Sequence, residues 1–190
     1  MGLFDALLGR RKVAGPAKTD RLFAITTAYV TLQTSYDVRS RGVAGLVFQP
    51  LATADFSQIV SDTEEIVRAT GSETGTTVTT TDDQFGYRWM VLHDPDVDDL
   101  AVGVNAVSEG LQAGGYGERL LCALFAFEER RGPVYLIYNY KRGSWYPFVP
   151  AGDGHERVVE RELQLKAQIG RELPIEPELE RWFPLWGVPV

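Results

Sequence analysis

The densest group of side chains that could do chemistry is His93-Asp94-Pro95-Asp96-Val97-Asp98-Asp99. Four carboxylates and an imidazole are a donor set for a divalent ion, which makes His93, Asp94 and Asp96 candidate metal ligands. The same residues have a second reading. Acidic side chains in the first turn of a helix accept from its free N–H groups and complement its dipole, and proline is favoured at an early helical position. The segment also lacks the glycine and the distal glutamate that a calcium-binding EF-hand loop needs at fixed spacing. Capping is the stronger reading, and no metal or other cofactor is expected.

Other reactive residue types are few. The chain has two histidines, His93 and His155, and one cysteine, Cys122. Cys122 falls within Leu120–Phe127, a run that is apolar at both alternating sets of positions. A thiol there behaves as a small hydrophobe, whereas a nucleophile needs partial exposure and a nearby base. Gly114-Gly115-Tyr116-Gly117 follows a helical pattern and precedes a strand, the reverse order of a phosphate-binding loop, and reads as a turn. His155, near Asp153 and Glu156, reads as part of a solvated helix start, and Ser144 has no base beside it in sequence. With no catalytic constellation, the chain is not expected to be an enzyme.

A net charge of −7 argues against a general nucleic-acid binder, which needs a basic surface to displace phosphate counterions. The aromatic series Tyr135, Tyr138, Tyr140, Trp145, Tyr146 and Phe148 therefore reads as cross-strand packing rather than as a base-stacking platform. A hydrophobic share of 44% beside a charged share of 24% fits a globular domain and not a disordered chain. No apolar run approaches the roughly 20 residues that span a bilayer, and residues 1–30 lack the pattern of a signal peptide. One cysteine forms no internal disulfide. The expected location is the cytoplasm, with a peripheral place at the inner face of the membrane if the first segment meets lipid.

These residues need elements to position them. Leu22, Ile25, Tyr29, Leu32 and Tyr36 follow a helical spacing behind Asp20 as N-cap, and Val43–Gln49 forms a short strand after Gly42. A helix opens at Pro50 and Thr53, buries Phe56, Ile59, Val60, Thr63 and Val67, and stops at Gly71. Thr76–Asp82 and Phe85–His93 make a hairpin in which Phe85, Tyr87, Trp89, Val91 and His93 share one face. Val97, Leu100, Ala101, Val104, Val107 and Leu111 mark a helix from about Pro95 to Gln112. Leu120–Phe127, Val134–Tyr140 and Trp145–Val149 form an antiparallel meander, the first strand being central and covered on both faces. A last helix spans His155–Gly170. This order predicts an α+β fold, an antiparallel sheet with helices packed on one face.

Residues 20–190 form one domain on this reading, with 13–19 a linker and 1–12 a separate segment. In the segment, Leu3, Phe4, Leu7 and Leu8 fall on one apolar helical face, and Arg10, Arg11 and Lys12 follow directly. That combination suits an anionic membrane surface or a partner's groove. Ala6 stands where N-myristoylation would require Ser or Thr. Trp182, Phe183, Leu185 and Trp186 either cover the core or form a docking patch.

MGLFDALLGR at the start, YGERLLCALFAFE at 116–128, VYLIYNYKRGSWYPFVP at 134–150 and ELPIEPELERWFPLWGVP at 172–189 together resemble the actinobacterial PspAB family, PspA-associated proteins of the envelope-stress response. The resemblance covers essentially the whole chain. It implies an accessory role near PspA, a membrane-binding phage-shock protein, and proximity to an HtpX-type membrane protease. It brings no catalytic residues with it, and it implies a fold similar to type III secretion chaperones. The expected function is a non-enzymatic adaptor acting through protein contacts and contacts with an anionic membrane surface. The alternative is a chaperone-like module that holds a client peptide.

Overall fold

The computed structural model of the chain describes residues 21–152 and 154–190. The segment 1–12, the linker 13–19 and the Asp20 cap lie outside the described residues. In chain order the elements are α1 (Ala24–Tyr36), β1 (Arg39–Phe48), α2 (Ala54–Thr74), β2 (Thr77–Asp82), β3 (Arg88–His93), α3 (Val97–Ala113), β4 (Leu120–Glu129), β5 (Gly132–Asn139), β6 (Ser144–Phe148) and α4 (Val159–Ile169). The strands form one six-stranded sheet in the order β2-β3-β1-β4-β5-β6, and each neighbouring pair is antiparallel. The hairpin β2-β3 and the meander β4-β5-β6 thus flank β1. The fold is α+β, as the element order predicts.

Side-chain alternation sorts the core into two layers. Leu46, Phe48, Met90, Leu92, Phe125, Phe127, Leu136 and Tyr138 point to one face, where all four helices bury their apolar sides. Val47, Trp89, Val91, Cys122, Leu124, Ile137, Tyr146 and Phe148 point to the other. Among the described residues no α-helix covers that second face. The chain from Ile175 to Val190 does, through Trp182, Leu185, Trp186, Val188 and Val190.

The aromatic residues of β5 and β6 divide between the layers. Tyr138 faces Trp145 across the strands with ring centroids 5.1 Å apart under the helices, and Tyr135 stacks on Phe148 at 6.0 Å on the opposite side. Each pair adds directional ring contact to the apolar area it buries.

Helix α3 follows its sequence signals closely. Asp96 caps it by accepting from the Asp98 N–H at 2.8 Å, and Val97, Leu100, Ala101, Val104, Val107 and Leu111 are all buried. Thr53 likewise caps α2 through the Phe56 N–H.

Three expectations are corrected. Helix α2 does not stop at Gly71 but runs a further turn to Thr74, with Gly75 as its left-handed cap at φ 97°. Gly71 is there for closeness rather than termination, since a Cβ at this position would collide with the carbonyl oxygen of Thr76. Strand β1 begins at Arg39, before Gly42, and passes through a bulge between Ser40 and Val43 where Gly42 has φ 69°. Its first residues are polar and partly exposed, so no apolar pattern marks them. Strand β3 begins at Arg88, which leaves Phe85 and Tyr87 in the connecting turn.

Candidate functional site

The acidic stretch is tied to its own backbone. Asp94, only 3% exposed, accepts from the Thr76 hydroxyl at 2.6 Å and from the Asp96 N–H at 2.8 Å. Its own N–H donates to the Gly42 carbonyl at 3.0 Å, which joins the start of α3 to the β1 bulge. Asp96 is committed to the α3 cap, and His93 is exposed at the strand end. Burial, together with the negative charges of Asp94, Asp96 and Asp98, pushes the Asp99 carboxyl up. Among the described residues, no three His, Cys, Asp or Glu side chains come together in a way that could hold an ion.

Cys122 sits on the face covered by the C-terminal chain, opposite Val47 of β1 and Asn139 of β5. Burial pushes its thiol up from 9.0 to about 12. Thiolate is the reacting form, so a buried thiol pushed that far up reacts slowly near neutral pH. Folded protein is therefore expected to resist maleimide labelling at pH 7–8 until urea unfolds it. Linkage gives a second readout. The unfolded chain releases this proton from about pH 9 while the folded chain keeps it to about pH 12, so stability falls as pH rises across that window. A Cys122→Ala chain should lose less stability between pH 9 and 10 than the parent. Fast labelling of the native protein would show the thiol to be open instead.

The covering chain is built in by specific bonds. The Trp145 N–H donates to Pro174 O at 2.9 Å and the Glu176 N–H donates to Trp145 O at 2.8 Å, so Ile175 lies as a parallel bridge against the edge strand β6. The Glu176 carboxylate, 4% exposed as a residue, accepts from the Ser144 hydroxyl and lies 3.6 Å from Arg142. Trp182 is 3% exposed, stacks with Tyr146 and donates its indole N–H to Glu176 O at 3.0 Å. Arg157 binds Glu162 with one edge of its guanidinium and donates from Nη1 to Trp182 O at 2.6 Å.

Past Trp182 the chain opens. Phe183 is 57% exposed, Leu185 and Trp186 are half-buried, and all three line a cavity of about 580 Å³. Phe85 and Tyr87 form the facing rim, at 68% and 38% exposure, and Trp89, Leu121, Cys122 and Tyr146 lie at its base. The volume falls within the roughly 300–1,000 Å³ usual for binding sites. Lys141 and Asp83 are its charged lining, and His155 adds an imidazole. Asp83 holds the far rim rigid, since its carboxylate accepts from the N–H groups of Phe85 and Tyr87 and from the Trp89 indole.

The structure thus divides the four C-terminal candidates. Trp182 is core, while Phe183, Leu185 and Trp186 form one wall of the groove. Of the two readings left open for these residues, core cover fits Trp182, and Phe183 is exposed at the groove. Sequence reading missed Phe85 and Tyr87 as site residues by placing them in a strand. The available signal was Asp83-Gln84-Phe85-Gly86-Tyr87, a turn-forming aspartate and a glycine amid two aromatics. Leu3, Phe4, Leu7, Leu8, Arg10, Arg11 and Lys12 lie outside the described residues.

A family model described as PspA associated protein B matches residues 1–190, the whole chain. The chain belongs to the PspAB family. No curated protein and no solved structure matches it. The PspAB name indicates association with PspA and an accessory role related to it. Among the described residues of this PspAB chain, no helix is long and apolar enough to cross a membrane.

Proposed function

We propose that this protein is a non-enzymatic adaptor of the envelope-stress response, and that it takes an apolar segment of a PspA-type partner into the groove between the Phe85 turn and the C-terminal chain. One observation carries this reading. Three of the large apolar side chains left exposed by the fold, Phe85, Tyr87 and Phe183, converge on a single apolar cavity. Among the described residues five aromatics are exposed, Phe23 and Tyr36 besides these three, and a set of three around one opening has the form of a recognition surface. The family's tie to PspA supplies the partner. Residues 1–12 supply a second, weaker contact with the anionic inner face of the membrane, where an HtpX-type protease would also reside.

Phe85→Asp and Phe183→Asp in the full chain test the proposal. Both side chains project into solvent, so the melting temperature should stay within about 2 °C of the parent. Removing a central aromatic contact from an interface costs about 2 kcal/mol or more. Affinity for purified PspA, measured by titration calorimetry, is therefore expected to fall at least about thirtyfold. Equal affinity in parent and variants would place the PspA contact elsewhere.

A further inference from the structure

We propose that the chain's own residues 3–8 occupy this groove when the protein is in solution, and that an anionic membrane surface withdraws them. The inference rests on the groove being the docking site proposed above. It adds the resting occupant and the means of release.

The first described residue locates the segment. The Trp145 indole N–H donates to the Arg21 carbonyl at 2.9 Å, and Arg21 Nη1 donates to the Gly143 carbonyl at 3.1 Å. The chain therefore enters the domain beside the turn between β5 and β6. Asn139 and Lys141 of that turn line the groove, and with Phe183 they also line the adjoining cavity that includes Arg21. Entry point and groove are neighbours. The twelve residues 9–20 between the segment and Arg21 can span at most about 40 Å. The tether is long enough to lay the segment into the groove and short enough to hold it at millimolar effective concentration.

Chemistry matches occupant to site. Leu3, Phe4, Leu7 and Leu8 offer one apolar face, and the groove offers an apolar base with aromatic rims. The same face, followed by Arg10, Arg11 and Lys12, is what an anionic bilayer would bind. One apolar face cannot serve both at once. Lipid and groove compete for it, and membrane binding opens the groove to a partner.

The test uses the full chain carrying Asp5→Cys and Gln84→Cys, both off the apolar contacts, and a short bismaleimide linker. Cross-linking within one chain is expected to be at least tenfold faster than for an Asp5→Cys, Val102→Cys control, since Val102 is exposed on α3 across the sheet. Adding Leu7→Asp should bring the rate down to that of the control. Vesicles of phosphatidylglycerol should slow the reaction severalfold, and phosphatidylcholine vesicles should not. Equal rates at positions 84 and 102, a product with the mass of two chains, or indifference to phosphatidylglycerol would each overturn the proposal. These outcomes separate from the function itself. Cross-linking without PspA affinity would retire the adaptor reading alone, and PspA affinity lost in Phe85→Asp without cross-linking would retire this inference alone.

Discussion

Trp182→Ala is expected to destabilise the domain by about 3–5 kcal/mol, the range for truncating a buried tryptophan. The indole is 3% exposed, lies against Tyr146 with ring centroids 6.4 Å apart and has the Lys166 ammonium 5.6 Å from its ring centre. Its N–H bond to Glu176 O is lost as well, leaving a buried acceptor without its donor. At about 2–4 °C per kcal/mol for a chain of this size, the melting temperature should drop by roughly 6–20 °C. The second face of the sheet opens with it, so Cys122 should become reactive to maleimide below the melting temperature. Urea denaturation measures the free energy. A loss under about 1 kcal/mol would mean that Ile175–Val190 rests on the sheet without stabilising it.

Arg157→Ala should have a loss of the same order by a different mechanism. Glu162 is 1% exposed, and its carboxylate is met by the Arg157 guanidinium and by the Val149 N–H at 2.9 Å. Taking away the guanidinium strands a buried negative charge, which costs about 3–5 kcal/mol. The substitution also removes the bond to Trp182 O and the cation that lies 5.7 Å from the Phe148 ring centre. Pairing Arg157→Ala with Glu162→Leu distinguishes charge from packing, because deleting both partners of a buried ion pair is often near neutral. Recovery of most of the loss in the double variant is the expected result. A double variant as unstable as Arg157→Ala would assign the cost to the undocked chain instead. Arg157→Ala and Trp182→Ala share the Trp182 carbonyl, so their effects should sum to more than the combined variant shows.

How much of this was legible varies by element. Helix α3 could be read from the residues alone, because its cap and its apolar positions are local facts of spacing. So could the meander β4-β5-β6, whose apolar runs are separated by short turns. Gly71 misled because a glycine reads as a stop, while its use here is close approach to Thr76, a contact that exists only once α2 and β2 are folded together. Phe85 and Tyr87 misled because alternation continues through them in sequence, while Asp83 gathers their N–H groups into a turn.

The sequence by itself determined the class of fold, the apolar and capped faces of its helices, the net negative charge and, through its long motifs, the family. Only the tertiary structure decided which aromatics are core and which are offered to solvent. Burial belongs to the pairing of distant segments. Trp182 is inside because Arg157, Glu176 and Tyr146 meet it from other elements, and Phe183, one residue on, is exposed because no described element covers it. The groove has the same origin: its two walls lie about a hundred residues apart in the chain, and no local pattern reports that they face each other.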